Sequence, residues 1–226
     1  MYFNFDKKEI LDQVNISKFT GWNELQVCKL EMKKDQNLNS EQINSYFPKI
    51  ALKEKIFILV KGKVTINILR KKYTLSEFDA LNLSSNEEIF LFTCYENAEI
   101  YMISANNPEV YTDAPFFFNF KKDLETRDLW GGQCISRLYE GKSLTVVLFD
   151  LKKGFKFQDK GHENEQITWL IDGSMEFHTN NMKKILKKNC GVDIGSKHVH
   201  GGVSNGAMGF DAFFPKREEK RYKKEN

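Results

Sequence analysis

No stretch of this chain reaches the roughly 18 consecutive apolar residues of a bilayer-spanning helix. The opening "MYFNFDKKEILDQ" also lacks the basic, apolar and small-residue regions of a secretory signal. Those absences make a cytoplasmic protein without membrane contact the expectation. Cysteine is scarce, and Cys28, Cys94, Cys134 and Cys190 form no CxxC pair. Neither a disulfide framework nor a thiolate zinc site is expected, and the four are read as reduced structural thiols. An excess of one charge sign is missing too. The formal +3 is supplied by the ending "KREEKRYKKEN", with six basic and three acidic residues. Without a basic stripe interleaved with aromatics, or a recognisable reading module, no nucleic-acid partner is expected. The run Lys183 to Lys188 is read as a solvated edge. No glycine-rich cradle or haem motif marks a nucleotide, flavin or haem site.

Helical periodicity is weak, apart from "KKEILDQV" and "NSEQINSYF". What recurs instead is short apolar, β-branched runs broken by polar or glycine-bearing turns: "KIFILVKGKVTINIL", "IFLFTCY", "AEIYMIS", "SLTVVLFDL", "QITWLIDGSMEF". These predict an all-β chain with many short strands and enough apolar surface to repay ordering. Sliding the chain by 111 residues lays "EKIFILVKGKVTIN" (54–67) over "EQITWLIDGSMEFH" (165–178) without a gap, matching Glu54 to Glu165 and Gly62 to Gly173. The same shift carries "AEIYMIS" onto "GFDAFFP", so two copies of one β domain are expected. The divisions are 1–105 for the first copy, 106–132 for an aromatic-rich segment between them, 133–218 for the second copy and 219–226 for a charged tail. Phe116 to Phe118 are expected to pack at the domain joint or a subunit contact, because exposing such side chains costs about 1.5–3 kcal/mol each.

All four histidines, His162, His178, His198 and His200, fall in the second copy. Imidazoles that converge with an oxygen donor suit zinc, iron, nickel or manganese. Strand alternation places Gln166, Thr168, Leu170 and Asp172 on one face and the apolar Ile167, Trp169 and Ile171 on the other. The second set calls for burial against another sheet, domain or subunit. Together with the aromatic segment, it makes a homodimer the expectation. Arg137 and Tyr139, in "SRLYEG", are candidate contacts to a polar substrate, Arg137 as a carboxylate anchor.

The second copy resembles a cupin domain, and the duplicated chain resembles a bicupin: tandem double-stranded β-helix, or jelly-roll, barrels. Gly154 opens the first cupin motif and Lys160 stands at its first histidine position. His162 stands at the second, Gln166 at the glutamate position, and Gly173 closes it. In "GSKHVHG", Gly195 stands where the second motif has proline and His200 at its ligand position. The terminal "FFPKREE" resembles the closing stretch of sugar-modifying cupins. The resemblance implies a metal at His162, Gln166 and His200, with zinc, manganese, nickel or iron as candidates.

Three arrangements are compatible with these residues. In one, that trio binds the ion while Lys160 contacts a substrate carboxylate or phosphate. In another, His198 replaces the missing histidine. In the third, Lys160, His162 and His200 form a metal-free polar pocket. The 111-residue shift sets Lys49, Ala51, Lys55 and Ile89 opposite Lys160, His162, Gln166 and His200, so the first copy is expected to be structural. The implied activity is isomerase, epimerase or lyase chemistry on a small sugar-acid or oxo-acid, with Lys160 or His162 moving a proton. A non-enzymatic binding or sensor protein for a small polar or acidic molecule is the alternative, and a purely structural protein a third.

Overall fold

The computed structural model describes residues 1–6, 9–11, 14–20, 25–46, 54–68, 71–83, 90–105, 115–180 and 182–217, excepting the side chains at 11, 18–20 and 46. Lys49, Ala51 and Ile89 lie outside them, as does the charged tail from 219. The chain divides into two compact units, Asn4–Leu124 and Met1–Phe3 with Glu125–Asn226. In chain order the first strands are β1 (Tyr2–Asn4), β2 (Glu9–Leu11), β3 (Val14–Thr20), β4 (Leu25–Met32) and β5 (Asn37–Asn39), followed by helix α1 (Ser40–Tyr46). Next come β6 (Lys55–Lys61), β7 (Val64–Ile68), β8 (Lys71–Leu75), β9 (Asp79–Leu83), β10 (Phe90–Cys94), β11 (Ala98–Ala105) and β12 (Phe116–Asn119). The second unit continues with β13 (Arg127–Leu129), β14 (Cys134–Glu140), β15 (Thr145–Leu151), β16 (Lys156–Asp159), β17 (Glu165–Thr179), β18 (Met182–Lys187), β19 (Cys190–Ile194) and β20 (His200–Phe214). The architecture is predominantly β, with the strands of each unit ordered in antiparallel sheets. Among the described residues no helix is long and apolar enough to cross a membrane.

The N-terminal unit pairs its strands in the orders β12-β9-β6-β11-β4-β3-β2 and β5-β10-β7-β8. Between them lies a closed apolar core that includes Ile43, Phe57, Leu59, Phe90, Phe92 and Met102. Phe57, Phe90 and Phe92 meet edge to face at centroid distances of 5.0–5.5 Å, a geometry that aligns ring edges with the negative faces. Lys29 is buried between Glu31 at 2.8 Å and Glu99 at 2.9 Å. β12 pairs with β9, burying Phe118 while Phe116 and Phe117 stay exposed.

The C-terminal unit has the order β1-β19-β17-β20-β15-β14-β13, with β16 added to β20 and β18 to β17. The two 15-residue strands β17 and β20 are paired along nearly their full lengths, with register shifts around Gly173. Gly173 has φ +72°, and a Cβ there would lie 1.9 Å from the Gly206 carbonyl oxygen. Its counterpart Gly62, φ +89°, would set a Cβ 2.3 Å from the Asn97 oxygen. Both turns therefore require glycine, and the matched pair is retained at the expected 111-residue offset. Past the bulge the inward parity changes. Gln166 and Thr168 line the interior before it, and Met175 and Phe177 after it. Asp172, expected on the inner face, is exposed at the bend. Ile167, Trp169 and Ile171 are buried within the chain, Trp169 stacked on its cross-strand partner Phe210 at 5.4 Å. Their apolarity alone thus does not demand a second subunit.

Strand pairing corrects the ungapped repeat. Ile56 faces Asn82 as Ile167 faces Asp193, an offset of 111. But Phe57 faces Met102 as Thr168 faces Asp211, so the late strand is displaced by 109. Ile68 faces Phe90 as Thr179 faces His200, which makes Phe90, not Ile89, the counterpart of His200. Asn39 faces Leu91 as Gln158 faces Gly201, an offset of 119 for β5 against β16. The matches proposed for Lys49 and Ala51 lie outside the described residues. At the β5 offset Asp159, which ends β16, falls on Ser40, where α1 begins.

Candidate functional site

β16 ends at Asp159, which pairs with His200 at the start of β20. The chain then turns at Gly161, φ +97°, where a Cβ would stand 2.6 Å from the Lys197 oxygen. The Asp159 Oδ1 accepts the Gly161 N–H at 2.8 Å, an Asx-type turn. The Lys197 N–H donates to the His162 carbonyl at 2.6 Å. This pinned loop delivers the His162 ring beside His200, with centroids 5.5 Å apart and planes at 88°. Asp159, His162 and His200 form a cluster whose ligand atoms all lie within 4.8 Å of one another. The two histidines are buried, and the three together are capable of coordinating a divalent metal.

Hydrogen bonds fix both ring tautomers. Gln166 Nε2 reaches Thr168 Oγ1 at 2.8 Å and Asp211 Oδ1 at 3.0 Å. A carboxylate oxygen takes only donors, so the Gln166 amide must turn its Oε1 the other way, to His162 Nε2 at 2.9 Å. His162 therefore donates from Nε2 and leaves Nδ1 bare, and this buried nitrogen has no hydrogen-bond partner. His200 Nδ1 donates to the His198 carbonyl at 2.9 Å, leaving its Nε2 bare. Each imidazole thus has one N–H held by an oxygen and one lone pair available, the arrangement that metal-binding histidines adopt. The residues fit a divalent ion.

The charges agree with that reading. Burial, and then Arg217, hold the His162 pKa below its ordinary value of 6.5, so the ring is neutral at pH 7. Burial alone would raise Asp159. The Gly161 N–H with His200, Arg217 and His162 outweighs it and keeps the carboxyl below its usual range. Arg217 Nη2 lies 3.3 Å from Asp159 Oδ2, and the guanidinium sits 5.0 Å above the Phe213 ring. The Arg217 backbone is tied to Thr145, its N–H donating to Oγ1 at 3.0 Å. Asp211 is raised by burial, against bonds from Thr168 Oγ1 at 2.5 Å and from Gln166.

These groups line one end of a cavity of about 440 Å³ within the C-terminal unit. Gln166, His200, Asp159, Thr168, Asp211 and Arg217 are on its wall, and the remainder is largely apolar. Cys134 also lines it, but burial, followed by Asp211, Asp150 and Asp128, pushes its thiol to about 12. All four cysteines are free and buried.

The sequence-predicted residues separate into two sets. His162, Gln166 and His200 are brought together. Lys160 is exposed and absent from the cavity wall, and His198 is exposed with Nδ1 on the Ser196 carbonyl at 3.0 Å. Arg137 and Tyr139 alternate with the cavity-lining Cys134 and Ser136 along β14, which places them on its other face. His178 bonds Gln158 at 3.0 Å. Sequence reasoning missed Asp159, Asp211 as a partner of Gln166, and Arg217. For Asp159 a signal existed in "DKGH", where an aspartate and a histidine flank a glycine turn. Arg217 lay inside the "FFPKREE" stretch already noted.

No family model matches the chain, and no curated protein matches it in sequence. Solved structures match in fold. The Ylba protein of E. coli superposes with a TM-score of 0.73 at 12% identity, covering 96% of this chain and 92% of that one. AerE from Microcystis aeruginosa gives 0.74 at 14%, covering 94% and 98%. A Bacillus subtilis oxalate decarboxylase described for its Mn(II) centres gives 0.74 at 8%, covering 96% and 78%. At such identities the likeness is one of fold: the chain shares the two-unit β fold of these structures, and its candidate metal-ligand cluster lies in the C-terminal unit.

Proposed function

We propose that the C-terminal unit is a metal-dependent enzyme site acting on an oxo-acid or similar carboxylate, by isomerisation, epimerisation or lyase cleavage. The observation carrying this reading is the close grouping of Asp159 with two buried imidazoles, each keeping one ring nitrogen free of a proton. Asp159, His162 and His200 would hold the ion. Gln166 is then the residue that orients His162 rather than a ligand, because its oxygen is occupied by the ring N–H. Two imidazoles and a carboxylate suit manganese, iron, nickel or zinc. Manganese is the first to try, since the similar oxalate decarboxylase is described by its Mn(II) centres. When bound, the ion would supply Lewis acidity toward a substrate oxygen.

The chain supplies the rest. Arg217, fixed through Thr145 and Asp159, presents planar donors for a substrate carboxylate. Asp211 is the proton carrier: it is on the cavity wall, burial raises its affinity for a proton, and Thr168 and Gln166 both anchor Oδ1. Lys160, expected in that role, is exposed away from the wall.

Elemental mass spectrometry of untagged protein, and of protein reloaded with manganese, iron, nickel or zinc, tests the reading. Near-stoichiometric metal, lost in His162→Ala, His200→Ala and Asp159→Asn, is expected. A chain that takes up none of the four ions overturns it. Metal uptake with no turnover of any oxo-acid would leave a binding protein.

A further inference from the structure

The metal cluster and its acidic and basic neighbours occupy only one end of the cavity. From the mouth inward a continuous series of rings forms one wall. Trp130, 63% exposed, lies 5.3 Å from Phe155. Phe155 is stacked with Phe157 at 6.4 Å and 17°, and Phe157 meets Phe177 at 6.3 Å. Phe177 is stacked on His200 at 6.0 Å and 21°. All five line the cavity, and Val147, Phe149, Leu151 and Met175 add further apolar lining. Away from that end the other polar lining residues are Gln158, which engages His178 at 3.0 Å, the buried Ser136 and the exposed Lys156. Polarity is thus concentrated where Asp159, His200, Asp211 and Arg217 meet.

A polyhydroxylated sugar acid needs hydrogen-bond partners along its whole length, and against these rings its hydroxyls would be desolvated without compensation. Oxalate has no apolar body to place against them. A volume of about 440 Å³ lies within the roughly 300–1,000 Å³ of small-molecule sites. We infer that this cavity takes a carboxylic acid with a flat apolar body, an aryl or cyclic acid, its carboxylate at Arg217 and its ring along the wall from Phe177 to Trp130. The carboxylate end rests on the proposed function; the ring wall is an independent observation. It narrows the substrate class from oxo-acids and similar carboxylates to those with an unsaturated or aromatic ring.

Calorimetric titration of the full chain, metal-free and manganese-loaded, with propionate, 3-phenylpropionate, oxalate and galacturonate tests the assignment. The phenyl-bearing acid should bind about tenfold or more tightly than propionate, because burying a ring adds more than one such factor. Trp130→Ala, at an exposed position, should reduce that ratio severalfold while leaving propionate unaffected. Equal affinity for propionate and 3-phenylpropionate, tighter binding of oxalate or galacturonate, or no binding of any of the four overturns the inference. Ring-dependent binding to protein that takes up no metal would leave the inference standing and remove the metal reading. Metal uptake without ring preference would do the reverse.

Discussion

The two halves of this chain use one strand frame for opposite ends. In the C-terminal unit Thr168, His200 and Asp211 line the polar end of the cavity. At the positions that strand pairing makes equivalent, the N-terminal unit has Phe57, Phe90 and Met102, all in its closed apolar core. The difference teaches that interior polarity here is local: the ladder pairs are kept while the side chains between them change from a hydrogen-bonded set to a packed one. An apolar set gains from burial and contact. A polar set is tolerated only when every member finds a partner, as Gln166, Thr168 and Asp211 do.

The largest expected effect comes from exchanging the two chemistries. Met102→Asp would bury a carboxylate among apolar neighbours with no donor provided, and should cost more than about 4 kcal/mol or prevent folding of that unit. The reciprocal Asp211→Met should cost on the order of 1–3 kcal/mol, mainly from the abandoned donors of Thr168 and Gln166. Urea unfolding of both variants measures the asymmetry, and equal costs would break the comparison. Next in size, Phe57→Ala in the closed core should lose about 3–5 kcal/mol. Phe155→Ala, facing the open cavity, should lose about 1–2 kcal/mol, since one side of its ring already lacks packing. Matching losses in thermal and urea unfolding would mean that the second interior is as closed as the first.

The smallest expected effect is a pH dependence confined to the C-terminal unit. The folded pKa of His162 lies below the ordinary 6.5, so on acidification the unfolded chain takes a proton first. The contribution of a neutral His162 is full above 6.5 and is lost as pH falls from there through the depressed value. Asp211 works the opposite way. Its raised pKa gives the folded form the extra proton above 3.8, and that contribution fades as pH rises through the folded value. Metal-free His162→Gln should therefore lose less stability than the parent between pH 6.5 and 5. Parallel melting-temperature curves for the two would contradict the buried neutral ring.

Much of the frame was legible because its signals are local. Short β-branched runs mark strands, and Gly62 with Gly173 betrayed the duplication, since only glycine fits where a Cβ would meet a carbonyl oxygen. His162 and His200 were legible through a spacing that ties the two residues to strand and turn. Asp159 was not, because its place beside them depends on β16 pairing with β20, residues distant in sequence. Arg217 was hidden for the same reason, through its tie to Thr145. The direction of the Gln166 amide was beyond spacing arguments altogether: Asp211, 45 positions away, decides it. The late-strand offset was misjudged because an ungapped comparison cannot register residues gained or lost between strands.

Helix α1 limits what substitution alone could make of the first unit. From Asn39 to Lys55 the first copy spends 16 steps, whereas the second covers the matching Gln158 to Gln166 in 8. The loop that carries Asp159 and His162 has no counterpart of the same length, and Ile43 of α1 is built into the core instead. Point substitutions could restore individual side chains but not the shorter path on which they must stand. Building a cluster of this kind in the first unit would therefore take a deletion and a rebuilt interior together.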